Sequence, residues 1–246
     1  MKSVATKTRD CGISTKTAAK ETRWVAAGLR GVLLALAAVA LALLFIALAA
    51  LGWGSWHGFL LDPIRRSAAI SLAALAALTP LCGCNIALGI ESDRANDWVL
   101  IALLVGGLSL GWASAFCDRH SIWTLGGNGV RLLGLMLFLI GAALRIGSIL
   151  SMANQFTVWV SIQEGHELVT DKLYRYLRHP SYTGAILTLL GWALVCRSGV
   201  GVLIAVLMSA LLISRLNAEE KILQRAFSVE YADYARRTWR LIPFVY

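Results

Sequence analysis

The chain has 246 residues, 58% of them hydrophobic, with a mean hydropathy of +0.68; soluble domains hold roughly 45–50% apolar residues, so the composition excludes an ordinary soluble enzyme and indicates a membrane protein. The formal net charge of +9 would point to nucleic acid in a soluble chain, but here Lys and Arg flank apolar runs, where they meet anionic headgroups and set topology, so no nucleic-acid partner is expected. Cys11, Cys82, Cys84, Cys117 and Cys196 lie mostly in or beside apolar runs without C-x-x-C pairing or a His cluster, which implies neither a disulfide framework nor a metal site.

Residues 1–28 read as a mobile basic tail, with Lys2, Lys7, Arg9, Lys16, Lys20 and Arg23 among threonines and alanines. An organelle-targeting role for it stays open, because acidic residues are few. The run 29–51 is too long for a signal-peptide core and lacks a convincing cleavage site, so it reads as the first membrane helix. A second span covers 68–90, where Pro80 removes a helix hydrogen bond and predicts a kink unless neighbours compensate. A third covers 98–116, with Gly106, Gly107 and Gly111 permitting close helix approach. These spans and their loops form an N-terminal region, 29–129.

The second region, 130–246, opens with a fourth span, 130–152, after the turn Gly126-Gly127-Asn128-Gly129. Runs 183–196 and 200–214 are each shorter than the ~20 residues of a usual span. Only Arg197-Ser198-Gly199 joins them, which predicts a tight helical hairpin. From 217 to 237, Ile222, Leu223, Ala226, Phe227, Tyr231 and Tyr234 fall near helical spacing, predicting a separate amphipathic helix over the site. The expected fold class is all-α: a polytopic bundle of about six membrane helices, the last two a short hairpin, plus a C-terminal amphipathic helix. Six crossings with the N-terminus inside would put the tail, the 154–182 segment and the C-terminal helix on the cytosolic face, since these hold most of the Lys and Arg. Arg65-Arg66 argues the other way, and the 91–97 loop does not decide.

Between the apolar runs stands one dense polar and aromatic stretch, 166–184. It supplies backbone groups from Glu167 to Val169, the imidazoles of His166 and His179, and the rings of Tyr174, Tyr176 and Tyr182. Such a mixture of flat apolar surfaces and fixed donors and acceptors suits an adenosine. By composition alone an interfacial anchor is the commoner use of these residue types. Arg145 lies about 12 Å inside the end of the fourth span at ~1.5 Å per residue, and an intramembrane arginine is a functional residue by default, a structural partner for a helix-end carbonyl being the alternative. Arg215 and Glu219 share a helix face at i,i+4 spacing; they could act on ligands or form only an ion pair.

The ordered set Leu168-Val169-Thr170, Tyr174 and Arg178-His179-Pro180-x-Tyr182-x-Gly184, followed by Glu219-Glu220 and Phe227-x-x-Glu230-Tyr231, resembles the isoprenylcysteine carboxyl methyltransferase family and its phospholipid methyltransferase relatives. The resemblance runs from Arg145 to Pro243. It implies an S-adenosylmethionine cofactor bound by His166, Glu167, Leu168, Val169, Tyr174, His179, Pro180, Ser181, Tyr182 and Glu219. It also implies catalytic roles for Arg145, Arg215 and Glu219, with Glu219 meeting the cofactor's amino acid and Arg215 the acceptor carboxylate. Two turns depart from the family pattern: V-T-x-G-x-Y has Asp171-Lys172-Leu173 between Thr170 and Tyr174, and F-G-x-E-Y reads Phe227-Ser228-Val-Glu-Tyr. The activity implied is carboxyl O-methylation of an isoprenylcysteine-like lipophilic acceptor at the cytosolic face of a membrane. A carboxylate acceptor is already ionised, so alignment and not base catalysis is the main requirement. The alternatives are N-methylation of a phospholipid ethanolamine, which needs a proton acceptor such as Glu219 or Glu220, small-thiol S-methylation, an NADPH-dependent membrane reductase, and a non-enzymatic scaffold.

Overall fold

The computed structural model describes residues 11–81, 91–92, 97–152, 161–162, 168–243 and 245. Seven α-helices occur among them: α1 (Cys11–Trp53), α2 (Trp56–Leu61), α3 (Pro63–Leu81), α4 (Asp97–Arg119), α5 (Asn128–Met152), α6 (Pro180–Val195) and α7 (Gly199–Arg237). A two-residue antiparallel pair, β1 (Glu91–Ser92) with β2 (Ser161–Ile162), is a small addition to the all-α expectation. Four helical stretches, Gly31–Trp53, Trp98–Arg119, Asn128–Met152 and Gly199–Arg237, are long and apolar enough to cross a membrane, and the shorter α6 is also apolar. The fold is that of a multi-pass helical membrane protein.

Helix starts follow from the local sequence. Asp62 caps α3 by accepting from the Arg65 amide at 2.9 Å, and Pro63 fills the first position, where no amide partner is needed. Ser198 caps α7 in the same way, accepting from Gly201 at 2.9 Å. Helices α5 and α6 then pack antiparallel with their backbones in contact. A Cβ on Gly141 would stand 2.6 Å from the Gly184 carbonyl oxygen, and one on Gly191 2.6 Å from the Phe138 amide. Small residues at such a seam let helices approach in a medium that offers no hydrophobic drive. The α4 glycines do something different from the expected helix approach: Gly106 makes room for Met208 and Gly111 for the ring of Phe45. Trp192, 1% exposed, lies at the centre of the core between Phe45, Phe59 and Phe138.

At the end of the bundle where α3 begins and α6 turns into α7, a charged network joins α3, α4, α5 and that turn. Asp118, at the end of α4, accepts from Arg65 at 3.0 Å and from Arg197 at 2.7 and 2.9 Å, and Arg131 of α5 pairs with Asp62. The Arg65 guanidinium also lies 3.6 Å over the Trp53 ring. Arg65 is thus paired within the protein, while its neighbour Arg66 is exposed.

Three boundaries differ from expectation. Helix α1 begins at Cys11, inside the stretch read as a tail. Helix α3 begins at Pro63 and its described part ends at Leu81, so Pro80 is its penultimate residue and 82–90 lie outside the described residues. The expected break between a short hairpin and a separate amphipathic helix is absent: α7 continues as 39 residues, and its interruption falls at Ser228 (φ 40°, ψ −105°). A change from apolar to polar residues at 215–217 alters what the helix faces, but with no Gly or Pro there the hydrogen-bond ladder continues.

Candidate active site

The segment before α6 folds as a 3-10 turn, Lys172–Arg175, with Lys172 at φ 51°. It drives the Tyr174 side chain into the protein, where it is 7% exposed and reaches Ser148 of α5. Burial, and then the Glu219 carboxylate, push its phenol above the ordinary tyrosine range, so it stays neutral. The Tyr234 hydroxyl donates to the Tyr174 carbonyl at 2.7 Å, tying the far end of α7 to this turn.

His179 and Pro180 start α6. The His179 ring meets Tyr182 edge to face at 5.7 Å. The Tyr182 hydroxyl donates to Glu219 Oε2 at 2.8 Å, and Arg215, 7% exposed and one turn before Glu219, is the other charged side chain beside that hydroxyl. From α5, Arg145 Nη1 donates to the Ser181 carbonyl at 3.4 Å. Gly184 makes room for it, since a Cβ there would stand 2.8 Å from Arg145 Cγ.

Glu220 faces another set of partners. His179 Nε2 lies 3.0 Å from its Oε1, Arg240 Nη2 2.8 Å from its Oε2, and Arg178 Nε 3.3 Å from its Oε1. A carboxylate only accepts, so Nε2 carries the hydrogen of this contact and Nδ1 is the ring nitrogen turned away from Glu220. Residues 238–241 run beside 176–179 as a short strap: Trp239 donates to the Tyr176 carbonyl at 3.0 Å, Arg178 to Trp239 at 2.8 Å and His179 to Arg240 at 3.2 Å. The Arg178 Nη1 donates to the carbonyls of Ala235 and Thr238, and the Thr183 hydroxyl to that of Leu241.

Of the residues singled out from sequence, Tyr174, His179, Pro180, Ser181, Tyr182, Arg145, Arg215 and Glu219 gather around the first turn of α6. Leu168 and Val169 are half-buried ahead of the 3-10 turn, and His166 and Glu167 lie outside the described residues. Sequence reasoning missed Arg240, the strap and the division between the two glutamates. The basic run Arg236-Arg237-x-x-Arg240 was the available signal. Among the described residues, four arginines (145, 178, 215 and 240) stand against two carboxylates (219 and 220), an excess of positive charge suited to an anionic ligand.

The two departures from the family pattern now have a geometry. Lys172 and Ser228, the positions where that pattern carries glycine, are both at positive φ, 51° and 40°. The backbone conformation that favours glycine is present here with side chains attached.

Comparison with known proteins bears on the same part of the chain. Residues 133–225 match the profile of the Isoprenylcysteine carboxyl methyltransferase (ICMT) family. The chain is 32% identical over 115 residues to protein-S-isoprenylcysteine O-methyltransferase A of Arabidopsis thaliana, covering 46% of this chain and 58% of the plant protein. It is 30% identical over 115 residues to the Homo sapiens protein-S-isoprenylcysteine O-methyltransferase, covering 46% and 40%. The chain thus spans about half the length of the curated relatives it matches. A solved eukaryotic intramembrane Ras methyltransferase, isoprenylcysteine carboxyl methyltransferase, superposes with a TM-score of 0.51 at 19% identity, covering 82% of this chain and 73% of that one. That similarity supports the helical membrane fold.

Proposed function

We propose that this chain, whose residues 133–225 carry the isoprenylcysteine carboxyl methyltransferase family pattern, is an integral membrane S-adenosylmethionine-dependent methyltransferase. Its acceptor is the carboxylate of an isoprenylcysteine-like lipophilic substrate. The observation that carries the reading is the placement of a buried arginine and a carboxylate, Arg215 and Glu219, on one helix face against the Tyr182 hydroxyl.

The residues fit the cofactor by their chemistry. Glu219 offers a carboxylate for an ammonium, Tyr174 and Tyr182 offer buried aromatic surface, and His179 Nδ1 offers a polar edge for a hydroxyl or amine. Leu168, Val169, Pro180 and Ser181, with His166 and Glu167, are assigned to the same site on the motif. When bound, S-adenosylmethionine supplies a methyl group on a positively charged sulfur. Arg145 and Arg215 hold the acceptor carboxylate, Arg145 reaching in from α5 and Arg215 from α7. A guanidinium can do this bidentately, which fixes the direction of an acceptor oxygen as well as its distance. No proton has to leave a carboxylate, so the site needs no base and Glu219 is free to serve as a binding group. The planar fork of two arginines favours this reading over an amine acceptor, whose single nitrogen offers a guanidinium no pair of oxygens to hold.

We assign the end of the bundle bearing the site to the cytosolic face. Exposed Lys172, Arg175, Arg236 and Arg237 lie there, against exposed Arg66 and Arg119 at the other end, where Arg65 is paired within the protein. The deciding experiment offers detergent-solubilised protein labelled S-adenosylmethionine with an S-prenylcysteine, phosphatidylethanolamine and a small thiol. Base-labile label on the prenylcysteine is the expected product. Label on the amine or the thiol, or binding of NADPH but not S-adenosylhomocysteine, would overturn the reading.

A further inference from the structure

We infer that the adjacent glutamates have separate tasks, and that Glu220 is a positioning residue that holds the 238–241 strap and the His179 ring over the methyl-donor site. The inference rests on the function proposed above for that site. One residue of helix rotates Glu220 about 100° away from Glu219, and the two carboxylates meet different partners. Glu219 meets Tyr182 on α6. Glu220 meets three potential cations from two segments, Arg178 and His179 of the site and Arg240 of the strap.

The strap is attached to 176–179 and Thr183 by five hydrogen bonds, yet it brings the Arg240 guanidinium up to that of Arg178. Without the carboxylate between them these like charges repel in a half-buried place where solvent screens poorly. Glu220 therefore determines whether the strap lies down. Through the 3.0 Å contact at Nε2 it also fixes which nitrogen of His179 faces the donor site. Its effect on the reaction passes through these groups, without contact to a reacting atom.

The test uses the full chain in detergent, with Glu220→Gln, Arg240→Gln, their double variant and Glu219→Gln. Glu220→Gln should weaken S-adenosylhomocysteine affinity roughly tenfold or more, leaving the acceptor KM and the kcat at saturating donor near wild type. It should also speed hydrogen exchange at the amides of Arg178, His179 and Trp239. The double variant should lose no more affinity than the weaker single variant, because Arg240 acts through Glu220. Glu219→Gln should lose affinity while the strap amides exchange as in wild type. Wild-type exchange and affinity in Glu220→Gln would overturn the assignment, as would parallel losses in kcat, acceptor KM and donor affinity. If wild-type protein binds no S-adenosylhomocysteine while Glu220→Gln still frees the strap, the donor reading fails and the strap role stands.

Discussion

Replacing Ser228 by glycine should stabilise this protein, although the change removes a side chain and adds no contact. At φ 40° and ψ −105°, Ser228 sits where a Cβ collides with its own backbone, a conformation that costs on the order of 1–3 kcal/mol for a non-glycine residue. Its side chain is exposed, so little packing is lost on truncation. Against the relief stands the larger conformational freedom of glycine in the unfolded chain, about 0.5–1 kcal/mol. The net gain is on the order of 0.5–2 kcal/mol, which for a chain of this size raises the unfolding midpoint by roughly 1–8 °C. Thermal unfolding of Ser228→Gly, Ser228→Ala and wild type in one detergent measures it. Ser228→Ala keeps the Cβ and should show no such rise. A Ser228→Gly midpoint at or below that of Ser228→Ala would refute the reasoning. The same comparison at Lys172, φ 51°, should also raise the midpoint, since positive φ is strained for a residue with a side chain.

Gly184→Ala should act in the opposite direction. The new Cβ would stand 2.6 Å from the Gly141 oxygen and 2.8 Å from Arg145 Cγ, so α5 and α6 must part at a cost of about 1–3 kcal/mol, read as a lowered unfolding midpoint. Asp118→Asn should destabilise by about 3–5 kcal/mol, because Arg65 and Arg197 lose a carboxylate whose side chain is 1% exposed. Cofactor affinity of the folded Asp118→Asn fraction, measured by titration, should match wild type, and a lower affinity would mean that the network tunes the site. Arg215→Lys and Arg145→Lys should each lower methyl transfer at least tenfold while S-adenosylhomocysteine affinity changes less, since an ammonium cannot reproduce a bidentate fork. Full turnover of Arg145→Lys would make that arginine structural.

What could be read in the sequence was whatever had a local pattern. The apolar runs placed the spans to within a few residues at α4 and α5. The Arg178-His179-Pro180-x-Tyr182 order identified the polar segment, and the shared face of Arg215 and Glu219 followed from their four-residue spacing. Long-range pairing had no such signature: Asp118 finds Arg65 at 53 residues and Arg197 at 79. Nor did polarity separate Glu219 from Glu220, since either could have faced the site until Tyr182 and Arg240 were placed. The run of α7 through 215–217 was misread because amphipathicity reports what surrounds a helix and not where it stops. Its actual interruption was marked at Ser228, as a departure from the family's glycine.

Because α7 is one helix from the Ser198 cap through Arg215 and Glu220, chain length within it is not free to drift over evolutionary time. A single residue inserted between Gly199 and Arg215 would turn everything downstream by about 100° and advance it about 1.5 Å. Arg215 and Glu219 would leave Tyr182, and Glu220 would be carried away from His179. Insertions in descendants of this chain should therefore be purged from that stretch or arrive in compensating sets near whole turns. Substitutions on its lipid-facing positions, such as Leu203, Val206 and Leu207, can accumulate freely among apolar residues.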